Sequence, residues 1–393
     1  MITVRLRAGH VQPLWAGHPW VYAQAIETLD GEVEPGAEVR VVDPRGNLLG
    51  VGYYTPDSAI PVRILSRTER SLGYELFVER LTEAKSLREA LGLPDGNTTG
   101  YRAVHAEGDR FPGLIVDRFD DVLAIQILTR GLFERRAELL RALNEVYHPR
   151  AILDRTPPAA AQLEGFAPSH GLASGQEITA LRFRERGFDY EIPLTLGQKT
   201  GYYFDQRPLR ARIETLAAGR DVLDAFGYVG AFGLHAARGV ANSVHVVENN
   251  PFVVEVGEQL TKAHGYERVI RHEKADAKQV MAANPGRYDL VIADPPRLAP
   301  TKKKLRAALD GYTQIAALAL SATKPGGLTV ICSCSSAVDL TSLSRAVATG
   351  AAQARVDAVV LERHFQGPDH PVLAAHPEGL YLKSLLLTVR GAL

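Results

Sequence analysis

Asp221-Val222-Leu223-Asp224-Ala225-Phe226-Gly227-Tyr228-Val229-Gly230-Ala231-Phe232-Gly233 reads as a short strand, a glycine-rich turn and the start of a helix. Outward from it, apolar runs alternate with amphipathic stretches. Ser243 to Val247, a helix from Pro251, Tyr288 to Asp294, a long helix to Thr323, Leu328 to Ile331 and a helix after Asp339 follow in turn. That alternation predicts a doubly wound α/β domain around a parallel sheet. Val356 to Leu361 and Tyr381 to Val389 are expected to pair antiparallel at its end.

The turn narrows the choice of ligand. Its glycines are spaced GxxGxxG, unlike the GxGxxG of a dinucleotide site, and Asp224 at the strand end would repel a pyrophosphate. S-adenosylmethionine fits better, because it carries a cationic sulfonium and amino group and no phosphate. By itself the segment reads better as a structural glycine turn. Glu248, 24 residues after Asp224 and at the end of the next strand, tips the reading because a carboxylate there can take both ribose hydroxyls. The candidate cofactor residues of this domain are Asp224, Gly227, Gly230, Glu248 and Asp276.

Two further motifs fall at carboxyl ends of strands, the edge where open α/β sheets bind ligands. Asp294-Pro295-Pro296 sets an acid before a stiff extended segment without backbone N–H groups, a rim able to grip a flipped base; alone it is also a common strand-ending turn. Cys332-Ser333-Cys334-Ser335 follows an apolar run. An isolated cysteine in such a strand is usually a small core residue, which is the expectation for Cys332, whereas Cys334 lies beyond the run at the edge that holds Asp294. A thiol and a carboxylate so placed are the groups needed to methylate a pyrimidine carbon.

The 393 residues are 46% hydrophobic, enough for a large core and for two or three domains. Formal charge is zero and the first 70 residues hold about as many acidic as basic side chains, so nothing resembles a polybasic arm and any RNA contact must be local. Two cysteines two residues apart make neither a disulfide framework nor a four-ligand zinc site. Without a long apolar run or a signal-peptide core, a cytoplasmic protein with no membrane partner is expected. Residues 1–70 show short strands and tight turns, a small β-barrel; residues 71–185 read as a second, α+β domain, with helices near 74–91 and 134–147. Residues 186–393 hold the α/β domain.

Gly17-His18-Pro19-Trp20-Val21-Tyr22, Tyr101 to Asp109, Pro112 to Arg118, the run Gly197-Gln198-Lys199-Thr200-Gly201-Tyr202-Tyr203-Phe204-Asp205-Gln206-Arg207, and Asp369-His370-Pro371 join the Asp-Pro-Pro and Ser-Cys-Ser motifs in a pattern that spans nearly the whole chain. In this the chain resembles the RlmI-like family of 23S rRNA cytosine-C5 methyltransferases. The resemblance implies a multidomain protein: an N-terminal PUA domain that binds RNA, a central α+β domain and a C-terminal Rossmann-like class I methyltransferase using S-adenosylmethionine. It implies that Lys199, Thr200 and Phe204 border the cofactor, that Asp294 faces the target base and that Cys334 is the nucleophile. Gly227 stands where many relatives carry Cys, and Leu298 where an aromatic commonly follows the Asp-Pro-Pro. The partner implied is 23S rRNA or a ribosomal assembly intermediate. The oligomeric state, homodimer included, is left open.

Lys302, Lys303 and Lys304 oppose the dipole of the helix they open, which makes phosphate contact as good a reading as a solvated face; with Arg297 they are the candidate RNA-binding residues. His364, His370 and His376 recur at a spacing that fits no common metal motif, and no metal is expected. Trp15 and Trp20 are expected in the barrel core. Two rivals stand beside cytosine-C5 methylation: an amino-group methyltransferase acting on adenine N6 or guanine N2, for which an Asp-Pro-Pro suffices without a cysteine, and a non-catalytic RNA-binding assembly factor.

Overall fold

The computed structural model describes residues 1–56, 58–196, 200–298 and 304–393. They form two compact units, Met1–Phe204 with Pro368–Gly379, and Asp205–Gly367 with Leu380–Leu393. Among the described residues no helix is long and apolar enough to cross a membrane.

The first unit begins with a six-stranded mixed sheet. Ile2–Leu6 runs parallel to Glu38–Val42 and antiparallel to Ile26–Leu29, and Leu48–Tyr54 joins Glu38–Val42 to Val62–Ser66. Alternation turns Val4 and Leu6 inward against Val39, Val41, Val62 and Ile64. Gly52 is required where two strands crowd, since a Cβ there would lie 2.2 Å from the Arg63 carbonyl oxygen. Trp15 corrects an expectation. It ends the one-turn helix Gln12–Trp15 in which Leu14 takes the inward position, and it is 79% exposed. Trp20 is half-buried; its indole N–H donates to Glu107 Oε1 at 2.8 Å.

A five-stranded sheet in the order His170–Gly175, Ala151–Arg155, Val122–Ile127, Leu114–Phe119, Gly100–His105 and the antiparallel pair Ala180–Glu185 and Phe188–Pro193 also belong to this unit. Helices Tyr74–Ala90 and Arg136–Tyr147 lie over its core, close to the spans expected. Val51, Tyr53 and Leu65 of the first sheet belong to that same core, together with Leu72, Phe77 and Leu132.

The second unit is a seven-stranded sheet. Its strands are β1 (Asp221–Ala225), β2 (Ser243–Glu248), β3 (Ile270–Lys274), β4 (Tyr288–Ala293), β5 (Thr323–Ser333), β6 (Val356–Phe365) and β7 (Lys383–Ala392). Their spatial order is β3-β2-β1-β4-β5-β7-β6, with β7 antiparallel to both neighbours and the rest of the contacts parallel. The run Val222, Leu223, Asp224, Ala225 is buried throughout, as a strand covered on both faces must be. Side chains close the helix starts: Asn250 accepts from the Phe252 N–H before Pro251–Ala263, and Asp339 from the Ser342 N–H before Leu340–Ala354. The order reverses between β1 and β4, which opens a crevice at their carboxyl ends.

Candidate active site

Every strand of the crevice delivers a functional group to the same edge. β1 ends in the turn that carries Gly227 and Gly230. A Cβ on Gly227 would meet Val246 Cγ1 at 2.5 Å, and Gly230 holds φ at +77°, so the tight turn excludes side chains at both points. Phe226 and Tyr228 sit in the left-handed region at φ 62° and 51°, a strain of about 1–3 kcal/mol each that is kept where geometry matters to function. β2 ends in Glu248, half-buried, whose Oε1 accepts the backbone N–H groups of Asn249 and Asn250 at 2.9 and 3.0 Å. Held this way, the carboxylate has its second oxygen available to a ribose. After β3, Asp276 is exposed and caps the helix Ala277–Ala283 by accepting the Gln279 N–H at 3.0 Å.

Asp224 is the strongest test of the cofactor. Its carboxyl is fully buried; Oδ2 accepts the Gly233 N–H at 3.1 Å, while Oδ1 has no hydrogen-bond partner. Burial therefore pushes its pKa well above the usual carboxylate range. An orphaned buried oxygen of latent negative charge beside a glycine turn suits a cationic ligand and would repel a phosphate.

At the next two strand ends lie the candidate reaction groups. Asp294 follows β4 and accepts from Gln206 Nε2 at 3.0 Å. Cys332, inside β5, is wholly buried; its sulfur accepts from Ser384 Oγ at 3.2 Å, and burial, with the Asp294 charge second, pushes its pKa far up. Cys334 lies one residue past the end of β5 and is half-buried. Its turn is clamped from several sides. Tyr312 Oη meets Ser333 Oγ at 2.9 Å and Ser335 Oγ at 3.1 Å, Lys383 donates to the Ser335 carbonyl, and Arg297 reaches Ser336 Oγ at 3.0 Å.

Residues 4–67 match the family of PUA-like domains, and residues 161–386 match that of S-adenosylmethionine-dependent methyltransferases. The chain is 33% identical to the ribosomal RNA large subunit methyltransferase I of Erwinia tasmaniensis and 32% identical to that of Serratia proteamaculans, in each case over 99% of its length and the whole of the relative. This chain belongs to the ribosomal RNA large subunit methyltransferase I family. Among solved structures, the fold matches SMU.776, crystallised with SAH, at a TM-score of 0.85 and 20% identity over 98% of this chain and 100% of that one. A structure from Streptococcus mutans matches at 0.83 with the same identity and coverage. The protein is thus an S-adenosylmethionine-dependent methyltransferase with a PUA-like N-terminal domain.

Within this family member, Asp224, Gly227, Gly230, Glu248, Asp276, Asp294 and Cys334 share one sheet edge. Thr200 and Phe204 belong to the other compact unit. There the Thr200 hydroxyl donates to Asp117, and Phe204 packs among Phe119, Phe183 and Tyr202. Lys304 is exposed and occupies the cap position before the helix Leu305–Ala322. Lys199, Lys302 and Lys303 lie outside the described residues.

Sequence reasoning gave no role to Gln206, although it falls within the Gly197 to Arg207 run, and it missed Lys383, which belongs to no motif. It also missed why Tyr101 to Asp109 and Asp369-His370 stand out. Arg88, wholly buried, grips Asp109 with two bonds and donates to the Asp369 carbonyl, while Arg102 pairs with Asp117 and meets His105 Nδ1 at 2.8 Å. Asp369 in turn accepts the Arg102 backbone N–H and contacts His370. These residues form a buried charge network of the first unit.

Among the described residues His364, His370 and His376 do not group with one another. Instead His376 lies with His18 and Glu378, three ligand atoms within 4.8 Å of one another. His18 Nδ1 accepts the Trp20 N–H at 3.1 Å, which puts the neutral ring's proton on Nε2, the nitrogen 3.6 Å from Glu378. That nitrogen then has no lone pair for a metal.

Proposed function

We propose that this methyltransferase transfers a methyl group to C5 of a cytosine in large-subunit ribosomal RNA, through a covalent bond between Cys334 and C6 of the base. The observation that carries the reading is the placement of the half-buried Cys334 one strand away from Asp294, at the edge that also holds Asp224 and Glu248. The names of the full-length relatives support ribosomal RNA as substrate. The PUA-like domain, within residues 1–70, would read RNA outside the reaction site, with residues 71–185 as the central domain and 186–393 as the catalytic one.

S-adenosylmethionine, held by Asp224, Glu248 and Asp276, supplies an electrophilic methyl. Cytosine C5 is too weak a nucleophile to take it unaided. Attack of the Cys334 thiolate on C6 forms a C–S bond and makes C5 the carbon of an enamine. Once C5 has accepted the methyl, with S-adenosylhomocysteine as the departing thioether, loss of the C5 proton to solvent restores the 5,6 double bond and expels the thiolate. Asp294, whose carboxyl accepts an N–H from Gln206, would meet the exocyclic amine of the base as acceptor. The base must leave its stack to reach such a site, so single-stranded or partly assembled RNA is the expected substrate.

Product analysis and trapping test this. Wild type should make 5-methylcytosine and accumulate a protein–RNA adduct on RNA carrying 5-fluorocytidine at the target, which cannot lose a C5 proton. Cys334→Ala should do neither while still binding S-adenosylmethionine; Cys332→Ala should keep both activities and lose about 1 kcal/mol of stability. An adduct retained in Cys334→Ala would transfer the role to Cys332. An N-methylated purine as product would replace the reading by amino-group methylation.

A further inference from the structure

We infer that Lys383 is a positioning residue for the nucleophile: it fixes the Cys334 turn through two backbone carbonyls and supplies the positive charge that keeps the thiol ionised. The inference rests on Cys334 being the nucleophile.

Lys383 opens β7, opposite Ser333 on β5 and Phe365 on β6, and is 3% exposed. Its Nζ donates to the Ser335 carbonyl at 3.0 Å and to the Val338 carbonyl at 2.6 Å. Those two carbonyls follow Cys334 by one and four residues, so one ammonium pins the whole turn. Among the described residues no carboxylate forms an ion pair with it, and burial without one is costly for a strongly hydrated cation. For packing alone, Met would serve better at this position.

The charges that face this ammonium come from three elements. Asp339, at the cap of the helix Leu340–Ala354, and the Cys334 sulfur favour the charged amine; Arg297, after β4, opposes it. Burial outweighs them and lowers the Lys383 pKa to about 8. Coupling between two groups is reciprocal: a thiolate that favours the ammonium is itself favoured by it. Asp339, which also accepts the Ser342 N–H, and the Cys334 sulfur are thus the two anionic neighbours of the ammonium, the carboxylate the larger influence and the sulfur the second. The cation is present below about pH 8 and fades above it, which covers the range in which an ordinary thiol, with pKa near ~8.5, is mostly protonated.

Alkylation of the intact protein by iodoacetamide, followed from pH 5.5 to 9.5 with the site assigned to Cys334 by fragmentation mass spectrometry, reads this directly and requires no RNA. For wild type the rate should reach half-maximum below that of a free cysteine. In Lys383→Met the midpoint should rise by at least about one pH unit, with roughly tenfold slower alkylation at pH 7. Lys383→Gln, which keeps a donor for the turn but no charge, should show the same rise. An unshifted midpoint in a folded variant, or a rate lowered by one factor at every pH, would leave Lys383 a merely structural residue and overturn the proposal. Should neither variant fold, a wild-type midpoint at or above that of free cysteine overturns it alone. Failure of the nucleophile reading is separate: Cys334→Ala would still produce 5-methylcytosine, whatever the alkylation profile.

Discussion

Replacing Asp224 by Asn should separate what this carboxylate does for the cofactor from what it does for the fold. Asn keeps the shape and can still accept the Gly233 N–H, but it removes the charge of the orphaned oxygen. If that oxygen takes the amino group of S-adenosylmethionine, the variant loses one charge-assisted hydrogen bond, about 1.5–3 kcal/mol, or roughly 10- to 150-fold in Kd. The pH dependence adds a second readout. The folded-state pKa of Asp224 is raised, so the apoprotein holds a proton there that the unfolded chain has released. Its contribution to stability is full below the unfolded carboxylate pKa and is lost as pH rises through the folded one. A cationic ligand reverses that preference, so binding should strengthen with pH across the same window and release up to one proton. Titration calorimetry in two buffers of different ionisation enthalpy counts that proton, and thermal unfolding follows the apoprotein. In Asp224→Asn the proton release should vanish and the apoprotein should be at least as stable as wild type near neutral pH. An unchanged Kd together with unchanged proton release would place the cofactor's cationic end elsewhere.

Three other expectations come from single side chains. Glu248→Ala should weaken S-adenosylmethionine binding by about 1–3 kcal/mol with the fold retained, and calorimetry showing full affinity would move the ribose away from β2. Trp15→Ala should leave the melting temperature unchanged, since the ring is exposed, and should weaken RNA binding by about 1–3 kcal/mol if a base stacks on it; equal affinity in a filter-binding titration removes the ring from the RNA path. That substitution is a cleaner probe than deleting residues 1–67, which would strip Val51, Tyr53 and Leu65 from the core they share with Leu72 and Phe77. Arg88→Met should cost about 3–5 kcal/mol in urea unfolding, because Asp109 would remain buried without its partner; a loss under 1 kcal/mol would mean that other donors of the network suffice.

Much of the α/β domain was legible from local pattern. Apolar runs such as Tyr288 to Ala293 and Val222 to Ala225, short and bounded by turn residues, read as strands buried on both faces, and the groups that follow parallel strands fall at one edge whatever the strand order. Asp224, Glu248, Asp294 and Cys334 could therefore be named from their positions alone. The difference between the two cysteines was also local, since Cys332 is inside the apolar run and Cys334 beyond it.

Other features were invisible along the chain. Ala151–Arg155 ends in two charged residues, and only their burial against Arg136 and Leu194 makes it a central strand. Trp15 misled because apolar size says nothing about which side of a one-turn helix faces in; Leu14 took that place. The motif residues Arg102, Asp109 and Asp369 carry a buried network whose partners lie up to 281 residues apart. Lys383 is the clearest case. In sequence it is one lysine within an apolar strand, and only the insertion of β7 between β5 and β6 sets its amine under the Cys334 turn. Periodicity and strand ends are properties of neighbouring residues, so the sequence determined the edge on which this chemistry lies. The charge environment of each group depends on strands brought together from distant parts of the chain, and that only the tertiary structure decided.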